Sequence, residues 1–554
     1  MVSRKQSVLT ASLLLGAAYA AGAGDNKAGD KKASNKKDAG VSRPASAGRA
    51  SSNAVVVSRG KFRSDDPLWV EPKPLAVRNV KTIEIGDLYD FVAQSFVTPR
   101  QLKHEKRTPA QNVNTVGEVP DSQWYANRHG LHTMTLDELR RGAGSANPPD
   151  PDRPWKVISA KSDGVMPGFH IEDSHGNRYL LKLDPADYPE LSSAADVIGS
   201  KIYYALGYNT PENYVVYFRR DQLTVSEESL WRDRMGKEHM LSVKQIDEWL
   251  ADQPRDSKGR YRAMASRWID GKPIGPFNMD GTRSDDPNDV VPHENRRELR
   301  GMRVFAAWLN DTDAKSINTL DSLVTKNGVP FIEHFRIDWG ASLGSDSLRP
   351  KDIRRGHDYI ISPKTNALQA ASFGFYLPKW MRTHYPKIRG TGTFDYESFD
   401  PVNWHSNYPV TPFMLMDEDD AFWAAKKVMA FSNDELRAFV ETGGYTDTRA
   451  VDWVTTASSS GATRSARSGL RRAWRSTTSA WKMAHSRSTI WPRSTTCASR
   501  SPIAFNGPRS TTRAARRPRL TGMTGTCRTW ARPADIWQRR SAPPAVRRLL
   551  RWVT

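Results

Sequence analysis

The chain is predicted to be an α+β protein of two lobes, a β-rich lobe carrying one helix followed by a mostly helical lobe. Three observations predict this. Between Trp155 and Trp268 most periodic segments are short and extended, and a single long helical pattern leads from Pro189 to Leu206. A second strong helical pattern, Glu294–Leu309, leads into a loop rich in Asp and Asn. After one hairpin, the periods that persist are helical, over Glu418–Met429 and Asn433–Glu441.

Taken in order, Arg4 and Lys5, the short apolar run Val8–Ala18 and the small-x-small triplet Ala18-Tyr19-Ala20 read as a cleaved export signal over 1–20. The apolar run is too short to be expected to anchor the chain in a bilayer. Residues 21–60 are Lys, Ala, Gly, Ser and Asn with few large apolar groups, and read as a disordered linker. Residues 61–150 are mixed and Pro-punctuated, and are expected to be a leader that packs on the main domain. Asn147-Pro148-Pro149-Asp150-Pro151 breaks the chain before a first lobe over 151–270. That lobe holds strands at Trp155–Ala160, Gly168–Glu172, Arg178–Leu183, Tyr214–Phe218 and Tyr261–Trp268, with an insert helix at Val243–Ala251. A second lobe follows over 271–455, with a hairpin turned at Lys326-Asn327-Gly328, a favoured turn sequence.

The formal charge of +21 belongs to one region. Residues 456–554 hold 21 of the 82 Lys and Arg but one of the 61 acids, Asp535, so the body before them is nearly neutral. A nucleic-acid role is therefore not expected of the folded body. Both cysteines, Cys497 and Cys527, also lie there, so the body has no disulfide and no thiolate metal site. This basic tail loses acids and periodicity together. The codons forced by Trp481-Lys482-Met483-Ala484 yield, two nucleotides on, Glu, then Asp or Asn, then Gly. The segment 456–554 is accordingly read as a shifted frame, expected to be disordered.

Chemistry concentrates in the second lobe. Asp313-Ala314-Lys315-Ser316-Ile317-Asn318 sets an acid, a cation two residues later and an amide five residues later on one loop. Asp338-Trp339-Gly340 follows one hairpin further on. Such a set can hold a nucleotide triphosphate, its magnesium ions and an acceptor hydroxyl together. In the first lobe, Lys182 is a cation within the apolar strand Tyr179–Leu183; buried there it needs an anion, which nucleotide phosphates would supply.

The order of strands, helix, strands and helical half, with the D-x-K-x-x-N loop and the later Asp-Trp-Gly, resembles the protein-kinase-like superfamily, nearer its atypical HipA-type branch, over roughly 151–445. The resemblance implies a two-lobed kinase-like fold and ATP with Mg2+ as cofactors. It implies Asp313 as the acid that orients the acceptor hydroxyl, Lys315 on the transferred phosphate, and Asn318 and Asp338 as metal ligands. It further implies that Lys182 holds the nucleotide phosphates and pairs with a helix acid, Asp196, with Glu190 as the alternative. Gly164 and Gly168 fit a phosphate-covering hairpin that lacks the full glycine pattern, and the backbone near Ile269 fits an adenine at the hinge. The usual His-Arg before the catalytic acid is absent; Asp311-Thr312 stands there. The expected activity is phosphotransfer to an unidentified hydroxyl in the periplasm or outside the cell. A non-catalytic kinase-like binding module is the alternative. A serine hydrolase, from Gly340-Ala341-Ser342-Leu343-Gly344, is the remote one.

Overall fold

The computed structural model describes residues 73–102, 108–145, 147–161, 168–232, 237–373 and 375–488. The export signal, the linker and Gly164 lie outside the described residues.

The first lobe is built on a seven-stranded mixed sheet: β1 Trp155–Ala160, β2 Gly168–Glu172, β3 Arg178–Leu183, β4 Asn213–Phe218, β5 Leu223–Arg232, β6 Glu238–Met240 and β7 Tyr261–Arg267, in the order β4-β7-β3-β2-β1-β5-β6. Only β1 and β5 run parallel. Alternation puts Tyr179, Leu181 and Leu183 of β3 into one apolar cluster with Phe169, Ile171 and Ala263. The insert helix, Val243–Leu250, closes that face with Ile246 and Leu250. Lys182 therefore points to the opposite face.

That face is covered by α1, Leu191–Leu206, all but one of whose residues are buried. Its start lacks a side-chain cap of its own. Asp184 supplies one from the preceding loop, accepting from the backbone N–H of Glu190 at 3.0 Å, Ser192 at 3.0 Å and Ser193 at 2.8 Å. Gly199, on this helix, lies against Trp339: a Cβ there would stand 2.6 Å from the Trp339 Cβ. Gly-to-Ala changes inside helices ordinarily stabilise by roughly 0.5–1 kcal/mol. Gly199→Ala is instead expected to destabilise by about 1–3 kcal/mol in denaturant melts, because the overpacked pair must separate.

On the same helix Lys201 is 8% exposed and donates to the carbonyl of Arg140. Burial, with no carboxylate opposing it, pulls its ammonium down to about 8. An unfolded lysine titrates near 10.4, so between pH 8 and 10.4 the unfolded chain binds the extra proton and stability rises with pH. Lys201→Met is expected to be the more stable protein at pH 7, by about 1–3 kcal/mol, with that advantage shrinking toward pH 10 in thermal melts.

The second lobe centres on α2, Arg297–Trp308, which sets Leu299, Met302, Phe305 and Ala306 in the largest apolar cluster. There it meets α3 Glu418–Met429 and α4 Asn433–Glu441, through Trp423, Ala424, Val428, Leu436 and Phe439. A smaller sheet lies in the order β10-β9-β8, from β8 Lys272–Pro273, β9 Thr319–Lys326 and β10 Val329–Arg336. The leader joins both lobes: Trp124 stacks on His334 of β10 at 3.5 Å between ring centroids, and Tyr125 donates from its hydroxyl to the Leu206 carbonyl at the end of α1 at 2.7 Å.

One expectation fails. The helix α5, Thr448–Ser488, runs straight through the change of composition at 456. Ala457, Ser458, Ser465 and Ala466 are buried, and Trp308 donates its indole N–H to the Ser458 carbonyl at 2.7 Å. A Cβ on Gly461 would come within 3.2 Å of Trp308, and one on Gly469 within 2.6 Å of the Ala425 Cβ. Ala457, Gly461, Ser465 and Gly469 recur every four residues, a stripe of small groups that lets the helix lie close to α2 and α3. A search for large apolar residues passes over such a stripe. Disorder is thus wrong for 456–470; the codon argument begins at Trp481, beyond the described side chains.

Candidate functional site

The hairpin β9–β10 brings the two expected metal ligands, Asn318 and Asp338, to one end of the ladder. Asn327 and Gly328 both have positive φ, 52° and 78°, which gives the tight turn that matches strand twist. From that turn the register runs without a bulge to Thr319 opposite Arg336. Asn318 therefore leaves the ladder on one side as Ile337 and Asp338 leave it on the other, and the Ile337 N–H donates to the Asn318 carbonyl at 3.0 Å.

Asp338 takes a left-handed backbone, φ 59°. For a non-glycine residue this costs roughly 1–2 kcal/mol and persists only where the surroundings enforce it. The Lys182 Nζ lies 3.1 Å from Asp338 Oδ1 and 3.0 Å from Asp196 Oδ2, joining β3, α1 and the exit of β10. Asp196 Oδ1 accepts in addition from the Asn213 amide at 3.1 Å and from the Trp339 N–H at 3.2 Å. Burial works against the charge on Lys182, but the two carboxylates outweigh it and raise its pKa. Burial pushes Asp196 up. It also pushes on Asp338, where Lys182 prevails and holds the carboxyl down at about 2. Glu190 is elsewhere: it accepts from the Thr446 hydroxyl at 2.7 Å and pairs with Arg389 at 3.1 Å. Of the two helix acids, Asp196 is the one that meets Lys182.

Asp313 sits on the loop after α2, which ends as Asn310 turns to φ 48°. Asn318 donates to the Asp313 Oδ2 at 2.9 Å and to its carbonyl at 2.7 Å, closing the D-x-K-x-x-N loop on itself. Asp313 Oδ1 accepts from the Asn407 amide at 3.0 Å and lies 3.3 Å from the Lys315 Nζ. Lys315 reaches Asp87 of the leader at 3.0 Å; burial opposes its charge, but Asp313 and Asp87 prevail and raise its pKa. Asp90, one turn along the leader helix Asp87–Val92, is buried and accepts from Ser316 at 3.3 Å and Tyr408 at 2.7 Å.

Three residues that the motif did not signal hold this loop. The Asp311 carboxylate is fully buried and accepts from Arg336 at 3.0 Å and from the Tyr203 hydroxyl at 3.3 Å. Lys351, 2% exposed, donates to the Asn310 carbonyl at 2.7 Å, the Thr312 hydroxyl at 2.9 Å and the Ala341 carbonyl at 2.5 Å. It thereby ties the loop before Asp313 to the turn after Asp338. Burial pulls its ammonium down to about 8. Lys351, Arg336 and Asp311 thus brace the loop in a sequence that has Asp311-Thr312 in place of His-Arg.

The other expected residues are placed as follows. Gly168 opens β2 opposite Lys182, and a Cβ on it would collide with the Leu181 carbonyl, so strand pairing by itself requires glycine there. Ile269 is half-buried where β7 exits toward β8. Ser342 has a fully buried hydroxyl without a hydrogen-bond partner among the described residues. It has no base to activate it and no access to substrate, which removes the hydrolase.

Asn318, whose amide NH2 is spent on Asp313, and Asp338, whose Oδ1 faces Lys182, each carry a second oxygen as well. These are hard oxygen donors suited to Mg2+, which commonly takes one or two protein ligands and completes its shell with phosphate and water. Among the described residues no group of three or more His, Cys, Asp or Glu could hold a metal ion by itself.

No protein-family model matches the chain, and no curated protein matches it. Among solved structures it is similar to one described as the Golgi casein kinase, at 8% identity, over 72% of this chain and 94% of that one, with a TM-score of 0.29. A second is the Golgi casein kinase with Mn/ADP bound, at 10% identity, over 66% of this chain and 97% of that one, with a TM-score of 0.23. At such scores the superposition assigns no residue. The HipA-type likeness finds no support in these structures.

Proposed function

We propose that the protein is an ATP- and magnesium-dependent phosphotransferase of kinase-like architecture that acts outside the cytoplasm on a hydroxyl acceptor. The observation that carries this reading is the placement of Lys182 between Asp196 and Asp338, with the Asp313–Asn318 loop at the other strand of the same hairpin. An ion triad alone is a structural device. One that shares Asp338 with a hairpin whose other strand leads from Asn318 and its closed acid-amide loop is equipped for phosphate.

Lys182 would hold the nucleotide phosphates, and Asn318 and Asp338 would hold magnesium, which supplies charge neutralisation of the transferring phosphoryl group when bound. Asp313, fixed by Asn318 and Asn407, orients the acceptor hydroxyl and takes its proton. Lys315 offers its ammonium to the developing charge. Asp196 keeps Lys182 in place, and Trp339, packed on Gly199, keeps Asp338 against both. The adenine would lie at the exit of β7, near Ile269. The export-signal pattern over 1–20 supports the location.

A second reading, a non-catalytic ligand-binding module, is favoured by one feature: Asp87 already occupies Lys315. Transfer of labelled γ-phosphate, to the protein itself or to hydroxyl acceptors, separates the two. Asp313→Ala is expected to lower transfer by about 10²–10⁴-fold while ATP still binds. Equal transfer by wild type and variant would sink the enzymatic reading.

A further inference from the structure

The segment 359–394 of the second lobe combines two independent features. It contains five Lys and Arg and no Asp or Glu, and of the five Arg389 is paired with Glu190 at 3.1 Å. It also exposes large apolar side chains in close succession: Ile360 and Ile361 at 41%, Phe373 at 91%, Phe375 at 88%, Tyr376 at 43% and Leu377 at 49%. Isolated exposed apolar residues are ordinary, but a run of this kind marks a contact surface.

The local structure holds these groups outward. The helix Pro363–Ala371 ends with the Phe373 N–H donating to the Ala370 carbonyl at 3.0 Å, and Phe373 takes φ 49°, a left-handed conformation that glycine or asparagine usually fills. Phe375 donates its N–H to the Ser372 carbonyl at 2.9 Å, and Tyr376 donates to the Ser372 hydroxyl at 2.9 Å. The tip is thus a hydrogen-bonded turn that presents two phenyl rings. Arg382 and Lys387 are exposed beyond it. The acids that bound the segment have partners of their own: Asp358 pairs with Arg354 at 3.4 Å, and Asp395 accepts from Ser398 at 2.9 Å.

We infer that this turn docks the protein on an anionic lipid bilayer, its phenyl rings entering the boundary between headgroups and acyl chains while the flanking cations face lipid phosphates. A protein partner would also cover apolar rings. A stretch of 36 residues with cations and no acid, however, matches a surface of one sign of charge, which an anionic bilayer presents everywhere. Among the described residues no helix is long and apolar enough to cross a membrane, so attachment through this turn is peripheral. The start of the segment connects to the candidate site: the Ile360 N–H donates to the carbonyl of Asn407, whose amide holds Asp313.

The test is sedimentation of the full chain with phosphatidylcholine vesicles containing phosphatidylglycerol, and with pure phosphatidylcholine vesicles. Wild type is expected to bind the anionic vesicles, and Phe373→Ser/Phe375→Ser to bind them at least about tenfold more weakly with unchanged thermal melting. The basic tail would bind anionic lipid by charge alone, so equal binding by the double variant would overturn the proposal, as would no binding by wild type. A double variant that keeps its vesicle affinity but changes oligomeric mass would assign the turn to contact between copies and overturn it equally.

Discussion

Lys182→Met is expected to destabilise the protein by about 3–5 kcal/mol and to abolish nucleotide-dependent activity. The stability effect follows from what remains. Asp196 is 1% exposed, and without the ammonium its charge would keep only the Asn213 amide and the Trp339 N–H. A buried carboxylate in that position must either protonate or pull water inward. Chemical denaturation of a double variant separates the two effects. Lys182→Met/Asp196→Asn removes the stranded charge while the amide oxygen still accepts from Trp339, so most of the stability should return and none of the activity. A single variant as stable as wild type would show that the ion pair is not the buried contact described.

Asp338→Asn is expected to lower phosphate transfer on the order of a thousandfold with the fold intact, because it removes the charged metal ligand and keeps the shape. A pH signature accompanies it. The folded carboxyl is held at about 2, below the value near 3.9 of an unfolded aspartate. Its contribution to stability is therefore complete above pH 4 and is lost as pH falls toward 2. The difference in melting temperature between wild type and Asp338→Asn should narrow over that interval, and a difference constant with pH would place Lys182 elsewhere.

Much of the fold was legible because it rests on periodicity. The helices Glu418–Met429 and Asn433–Glu441 occur at their expected bounds, and the helix expected from Pro189 begins at Leu191. The Lys326-Asn327-Gly328 turn marked the hairpin that leads to Asp338, while its register, and with it the approach of Asn318 to the exit of β10, comes from the structure. Three kinds of feature were not legible. The strand Leu223–Arg232 reads as polar because it lies toward the sheet edge, with only β6 beyond it. The leader helix and the helical turn Ala93–Val97 after it invert the usual pattern: Asp90 and Gln94 face inward to Tyr408 and Thr411, while Leu88 and Tyr89 are exposed. Asn407, Lys351 and Asp87 reach the Asp313 loop from far along the sequence, and no local motif announces a hydrogen bond of that kind. The small-residue stripe of α5 is a fourth instance of the same lesson, since packing by close approach leaves no apolar period.

The grouping of Lys182, Asn318 and Asp338 as a magnesium–nucleotide site is tested most directly by calorimetric titration of ATP into the purified full chain. The predicted result is saturable binding with magnesium present, weakened at least about tenfold by chelation of the metal and equally by Asp338→Asn. Absence of binding by wild type, or binding indifferent to both the metal and Asp338, would contradict it.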